Sequence, residues 1–244
     1  MKLRSFAAAA VLAVGTAAVP AQTIQGVTEF SPYTYLRDGH VAGPATEVVQ
    51  ATLREAGLPD HRVAPYPWAR AYDMALKDAN VLIFLIARTP AREKLFKWAG
   101  RFMTMEYHLY KLKERSDIVV NGLDDARRYS IGVMRDDVRH QYLRDKGFAR
   151  LVVAGDGLDN FRRLLNGQVQ LSPLAEIDAA VLCKEAGADC GRIERVHTLG
   201  ELSTDLYMAY SLATADAVVQ RTADAFERLR ADGTVRRLMA PPAR

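Results

Sequence analysis

Residues 81–92 read VLIFLIARTPAR. The seven apolar residues from Val81 to Ala87 are too few for a free-standing helix. Ended abruptly by a polar break, they have the character of a strand buried on both faces inside a parallel sheet. Thr89 then stands as an N-cap with Pro90 at the first helical position, which predicts a helix beginning here. Arg88 and Arg92 would lie where a strand's carboxyl end meets a helix N-terminus, the edge at which open α/β sheets bind ligands. Two guanidiniums beside free helix N–H groups form a site for a carboxylate or another anion. The alternative is that both arginines are solvated or paired with acids such as Glu93.

The chain has 244 residues, enough for one large domain or two modest lobes. Lys2 and Arg4 precede an Ala/Val-rich run at 6–19, and Val19-Pro20-Ala21 offers small residues for cleavage. This pattern predicts a secretory signal peptide over 1–21, with the exported protein starting near Gln22 in the periplasm. The run is too short and weakly apolar for a stable membrane span. Its removal takes two cations from the formal charge of +4, leaving +2. No run of five basic residues exists, so nucleic acid is not an expected partner. Cys183 and Cys190 are the only cysteines, and in an oxidising compartment they are expected to form a local disulfide. No His or acidic pair stands beside them at metal-ligand spacing, and neither metal nor cofactor is expected.

Along the mature chain, 27–35 reads as a first strand and turn, and Asp38-Gly39 as a hairpin turn. A helix over 44–56, residues 61–65, and a helix opened by Pro67 lead into the buried run. Strand and helix alternate as in an α/β unit. The aromatic-rich stretch 102–113 reads as extended. Beyond it, strands at 129–134, 151–153 and 169–171 alternate with helices near 138–146, after 153, and at 175–186, building a second α/β unit. Residues 206–211 read as another buried strand, followed by a long helix over 216–231. The expected architecture is α/β: two lobes joined by a two-strand hinge, with lobe 1 over 22–108, lobe 2 over 109–206, and lobe 1 resumed over 207–244.

Five pieces, in order, carry a resemblance. They are Phe30-Ser31-Pro32-Tyr33 with Asp38-Gly39 and Gly43; Pro67-Trp68-Ala69-Arg70-Ala71; Ala87-Arg88-Thr89-Pro90-Ala91-Arg92; Ser130-Ile131-Gly132-Val133; and Leu165-Asn166-Gly167-Gln168-Val169. From about 26 to 239 the chain resembles the bacterial family 3 extracytoplasmic solute-binding proteins, best known from polar amino-acid ABC transporters. The resemblance implies a type 2 periplasmic binding fold that closes on a small ligand and delivers it to an ABC transporter permease in the inner membrane. It implies a monomer that binds and does not catalyse. It also implies that Arg92, at the arginine of the T-x-x-R motif, grips a ligand carboxylate. The family hydroxyls five and seven residues earlier are replaced by Ala87 and Leu85, with Arg88 as a second cation. The family's ammonium-binding Asp position is Ala175, with Glu176 one step on.

The ligand expected from these residues is small, polar, and anionic or zwitterionic, since buried charge must meet charge. Tyr33 and Trp68 are candidate stacking walls, although a Trp on a helix's apolar face also serves a core. Arg135 and Asp136 stand at the second lobe's strand end. Ser172 and Glu176 follow the strand at 169–171; for Glu176 a solvated helix face is the alternative. Two further readings stay open. One is a dehydratase-like periplasmic enzyme, for which Glu106, Tyr107 and His108 form a polar cluster; no G-x-S-x-G or HExxH motif is present. The other is a ligand-sensing module for a membrane receptor.

Overall fold

The computed structural model describes residues 23–240. The expected signal peptide over 1–21 and its cleavage near Gln22 lie outside the described residues.

Five strands form the first sheet. They are β1 (Ile24–Thr28), β4 (His61–Pro65), β5 (Val81–Ala87), β6 (Phe96–Met105) and β12 (Thr204–Ser211), in the order β4-β1-β5-β12-β6. The short hairpin β2 (Tyr35–Arg37) and β3 (His40–Ala42) turns at Asp38-Gly39, both at positive φ, and leads into helix α1 (Pro44–Glu55). Helix α2 (Trp68–Lys77) follows β4.

The apolar run 81–87 is the sheet's central strand, parallel to β1 and antiparallel to β12. Its side chains alternate between two cores. Leu82 and Phe84 pack with Val48, Val49 and Leu53 of α1 and with Phe226 of the long C-terminal helix. Val81, Ile83 and Ile86 pack with Trp68, Ala71, Tyr72 and Ala75 of α2. Helix layers on both faces explain why the strand carries no polar alternation.

The second lobe comprises β7 (His108–Leu112), β8 (Ile131–Met134), α3 (Val138–Asp145), β9 (Leu151–Ala154), α4 (Gly157–Leu165), β10 (Ser172–Leu174), α5 (Glu176–Glu185) and β11 (Ile193–Thr198). Its strands pair as β8-β9 and as β10-β7-β11, and a parallel bridge between Ile131 and Leu171 joins the two groups. Helix α6 (Asp216–Ala231) and helix α7 (Thr234–Met239) close the first lobe. Cys183 and Cys190 are joined in a disulfide with Cα atoms 5.5 Å apart, tying the end of α5 to the loop before β11. No helix among the described residues is long and apolar enough to cross a membrane.

Three differences from the sequence reading bear on the site. Thr89-Pro90 does not open a helix. Residues 90–95 form hydrogen-bonded turns, with Arg92 N donating to Thr89 O (2.9 Å) and Leu95 N to Arg92 O (3.0 Å). Phe96 is already paired in β6, so too few residues remain to nucleate a helix. The free helix N–H groups expected beside Arg92 are therefore not there. Second, the stretch 102–113 is divided between two strands, one in each lobe, with the crossing at residues 106–107. Third, pairing of β12 with β6 starts at Thr204, so the return crossing lies at 199–203 and not after 206.

Candidate functional site

Between the lobes lies a cleft lined from both sides at the carboxyl ends of strands. Thr28 ends β1 and Glu29, Ser31 and Tyr33 follow it; Leu85 and Ala87 end β5, with Arg92 in the turn beyond; Trp68 opens α2. The second lobe supplies Asp137, Val138 and Arg139 from the start of α3, and Asp178 from the first turn of α5. Tyr107 comes from the first crossing, Met105 from the end of β6 and Leu206 from β12. This is the strand-end placement that open α/β sheets give to ligands.

Two residues here sit in the left-handed region. Leu85 (φ 58°) is the extra residue of a bulge, since Tyr207 pairs with Ile86 and Met208 with Phe84. Asp136 (φ 58°) stands between β8 and α3, and its carbonyl oxygen gathers three donors. Trp68 Nε1 (3.1 Å) and Arg92 Nη2 (3.0 Å) come from the first lobe, Gln141 Nε2 (3.1 Å) from the second. The strained turn thus aims one carbonyl across the interface. A β-branched residue cannot take that conformation cheaply. Asp136→Val should cost about 2 kcal/mol, lowering Tm by roughly 4–8 °C, whereas Asp136→Gly should leave Tm within about 2 °C. Thermal unfolding of the two variants checks this.

Arg92 is 1% exposed, the largest fully buried side chain among the described residues. Its other acceptors are Gln141 Oε1 (3.2 Å) and Ala87 O (3.4 Å), and it lies over the rings of Trp68 (5.8 Å) and Tyr72 (5.0 Å). All of these are uncharged. Burial lowers its pKa, opposed by Tyr72 and Asp137. A buried guanidinium without a carboxylate partner retains a strong affinity for an anion.

The acids across the cleft differ in kind. Asp137 caps α3 through Arg139 N (2.8 Å) and pairs with Arg139 Nε at 2.5 Å. Burial works to raise Asp137, but Arg139 overrides it and holds the carboxyl below the usual range. Arg139 also donates to Pro173 O and lies over the Tyr107 ring. Glu29 and Asp178 have no ion-pair partner among the described residues. Burial pushes Glu29 up to about 8, helped by Asp137 and Asp178 and opposed by Arg139. Burial also raises Asp178. Both line an adjoining recess at the cleft mouth, beside Arg139 and the exposed Phe30.

Of the residues expected from sequence, Tyr33, Trp68 and Arg92 line the cleft. Trp68 is also core, 4% exposed and stacked on Tyr72. Asp136 acts through its carbonyl. Arg88 lies outside the cleft: its guanidinium pairs with Glu93 (2.6 and 2.9 Å) between the rings of Trp98 and Tyr207. It was placed at the site by its position at the end of the buried strand, and its side chain turns to Glu93 and the two rings instead. Arg135 is exposed. Ser172 is fully buried and accepts from Asn160 Nδ2 (3.1 Å) behind the cleft. Glu176 is exposed, and the acid of α5 that reaches the cleft is Asp178. Sequence reasoning missed Glu29, Asp137, Arg139 and Asp178. Of the cluster at 106–108, only Tyr107 lines the cleft; His108 is buried against Thr198. No group of three or more metal-ligating side chains occurs among the described residues.

No family model and no curated protein matches the chain. Solved structures do. A histidine kinase sensor domain with similarity to periplasmic binding proteins superposes with TM-score 0.78 at 17% identity, over 90% of this chain and 94% of that one. An ancestral arginine-binding protein bound to arginine matches with TM-score 0.74 at 16% identity, over 88% and 96%. The arginine-, lysine-, histidine-binding protein ArtJ from Geobacillus stearothermophilus matches with TM-score 0.73 at 15% identity, over 89% and 93%. At such identities the likeness is one of fold, and the chain has the two-lobed α/β fold of periplasmic binding proteins.

Proposed function

We propose that this chain is a periplasmic solute-binding protein whose cleft takes a small zwitterionic ligand with at least one cationic group. The carrying observation is the charge layout around one void. Among the described residues Arg92 has no acid partner, Glu29 and Asp178 have no cationic partner, and Asp137 and Arg139 neutralise each other. A ligand carboxylate at Arg92 and an ammonium or guanidinium at Glu29 and Asp178 would satisfy both ends. A purely anionic ligand, one half of the sequence expectation, meets two carboxyls and is disfavoured. Binding proteins among the structural neighbours support capture, not turnover, as the task. Delivery to an ABC transporter permease by a monomer is the reading we adopt; the sensor-domain neighbour keeps a membrane receptor as the second.

One observation favours an enzyme: Glu29 and Asp137 are pushed in opposite directions, as acid–base pairs are. Asp137 is held by Arg139 through Oδ1 at 2.5 Å, however, which commits the acid to an ion pair. Calorimetric titration with L-arginine, agmatine (the same cation without the carboxylate) and succinate tests the reading. L-Arginine should bind tightest and be recovered chemically unchanged. Succinate binding more tightly than L-arginine would overturn the ligand class, and chemical conversion would favour the enzyme.

A further inference from the structure

Gln141 is the one side chain of the second lobe that both accepts from and donates to the bridge across the interface. Its Oε1 accepts from Arg92 Nε (3.2 Å) and its Nε2 donates to the Asp136 carbonyl (3.1 Å), which also receives Arg92 Nη2 and Trp68 Nε1. Every partner in this ring is a protein group. We propose that Gln141 is a positioning residue that orients Arg92 for the ligand carboxylate and, with the Asp136 carbonyl, latches the two lobes together. The first half rests on the charge reading above, whereas the second does not.

The chemistry makes Gln141 specific. It is neutral, so it fixes the guanidinium plane without cancelling its charge, leaving that charge for an anion. Glutamate at this place would accept the same Nε–H as a full ion pair and compete with the ligand. Leucine would remove both polar atoms at nearly the same size. Gln141 also borders a solvent groove beside Pro90, Tyr142 and Leu202, so either substitution has room.

The test uses the mature chain with L-arginine and agmatine as probes. Gln141→Glu should weaken L-arginine at least tenfold and leave agmatine within threefold, a split that a merely structural role would not produce. Small-angle scattering without added ligand should show Gln141→Leu with a larger radius of gyration than wild type, and saturating L-arginine should reduce it. Gln141→Asn, too short to span both partners, should expand likewise. An unchanged radius in Gln141→Leu overturns the latch. Equal loss of both probes in Gln141→Glu overturns the positioning role. If wild type itself does not prefer L-arginine to agmatine, the charge reading fails, and the scattering comparison still decides the latch.

Discussion

Replacing Arg92 with alanine should abolish high-affinity binding of a carboxylate-bearing ligand, by roughly 2–5 kcal/mol or about 30- to 5,000-fold. The size follows from burial: at 1% exposure, water cannot take over the guanidinium's role toward a ligand anion. Lysine should fail nearly as badly. The fork serves Gln141 Oε1, Ala87 O and Asp136 O from three nitrogens while stacking on Trp68 and Tyr72, and an ammonium cannot reproduce that plane. Stability should respond differently. Among the described residues Arg92 is a buried cation with only neutral hydrogen-bond partners, so Arg92→Met removes a desolvation cost while filling much of the same volume. Its Tm should equal or exceed that of wild type even though binding is lost. Arg88→Ala is the control: Arg88 lies outside the cleft in its pair with Glu93, so titration with L-arginine should stay within threefold. Wild-type-like affinity in Arg92→Ala would remove the carboxylate clamp altogether.

That contrast between two arginines four residues apart shows where sequence reasoning held and where it did not. The strand 81–87 was legible to the residue because an uninterrupted apolar run with a polar stop has one good home, a strand covered on both faces. The next step failed because Thr89-Pro90 carries a helix-start signature whose outcome depends on the residues after it. Phe96 enters β6 before a helix can repay its nucleation, and the helix N–H groups expected beside Arg92 go with it. Glu29 was within reach of the same rule that found Arg92, because it stands one residue past the end of β1. Asp178 was harder. Glu176 and Asp178 are two positions apart at the start of α5 and point to different sides of the helix, so choosing between them requires the helix's rotation. No periodicity in this helix announces that rotation. Asp137 and Arg139 lie just beyond the strand-end pair Arg135-Asp136 that the rule selected, on the first turn of α3.

Ligand affinity should rise with pH to about 8 and then level off, and Glu29 is the reason. Burial first, then Asp137 and Asp178, push its carboxyl from 4.5 to about 8, so the folded cleft holds a proton there at neutral pH. A cationic group arriving beside Glu29 favours the carboxylate and expels that proton. Between the lowered pKa of the complex and about 8, binding of L-arginine should therefore strengthen by up to tenfold per pH unit for one proton released. Calorimetry in buffers of different ionisation enthalpy measures that proton directly. Ligand-free stability must run the other way. The folded protein binds more protons at Glu29 than the unfolded chain does between about 4.5 and 8, so stability falls as pH rises through that window. Asp178, also raised by burial, adds in the same direction. Glu29 keeps part of its surface on the cleft water, and lobe opening hydrates it further, so the loss appears first as easier opening. Glu29→Gln mimics the protonated form: its Tm should match wild type near pH 5 and exceed it near pH 9. Its affinity for L-arginine should be weaker at pH 8 and much less pH-dependent, the remaining slope belonging to Asp178. Wild-type affinity that is flat from pH 6 to 9, with no proton released, would mean that no cation docks against this pair.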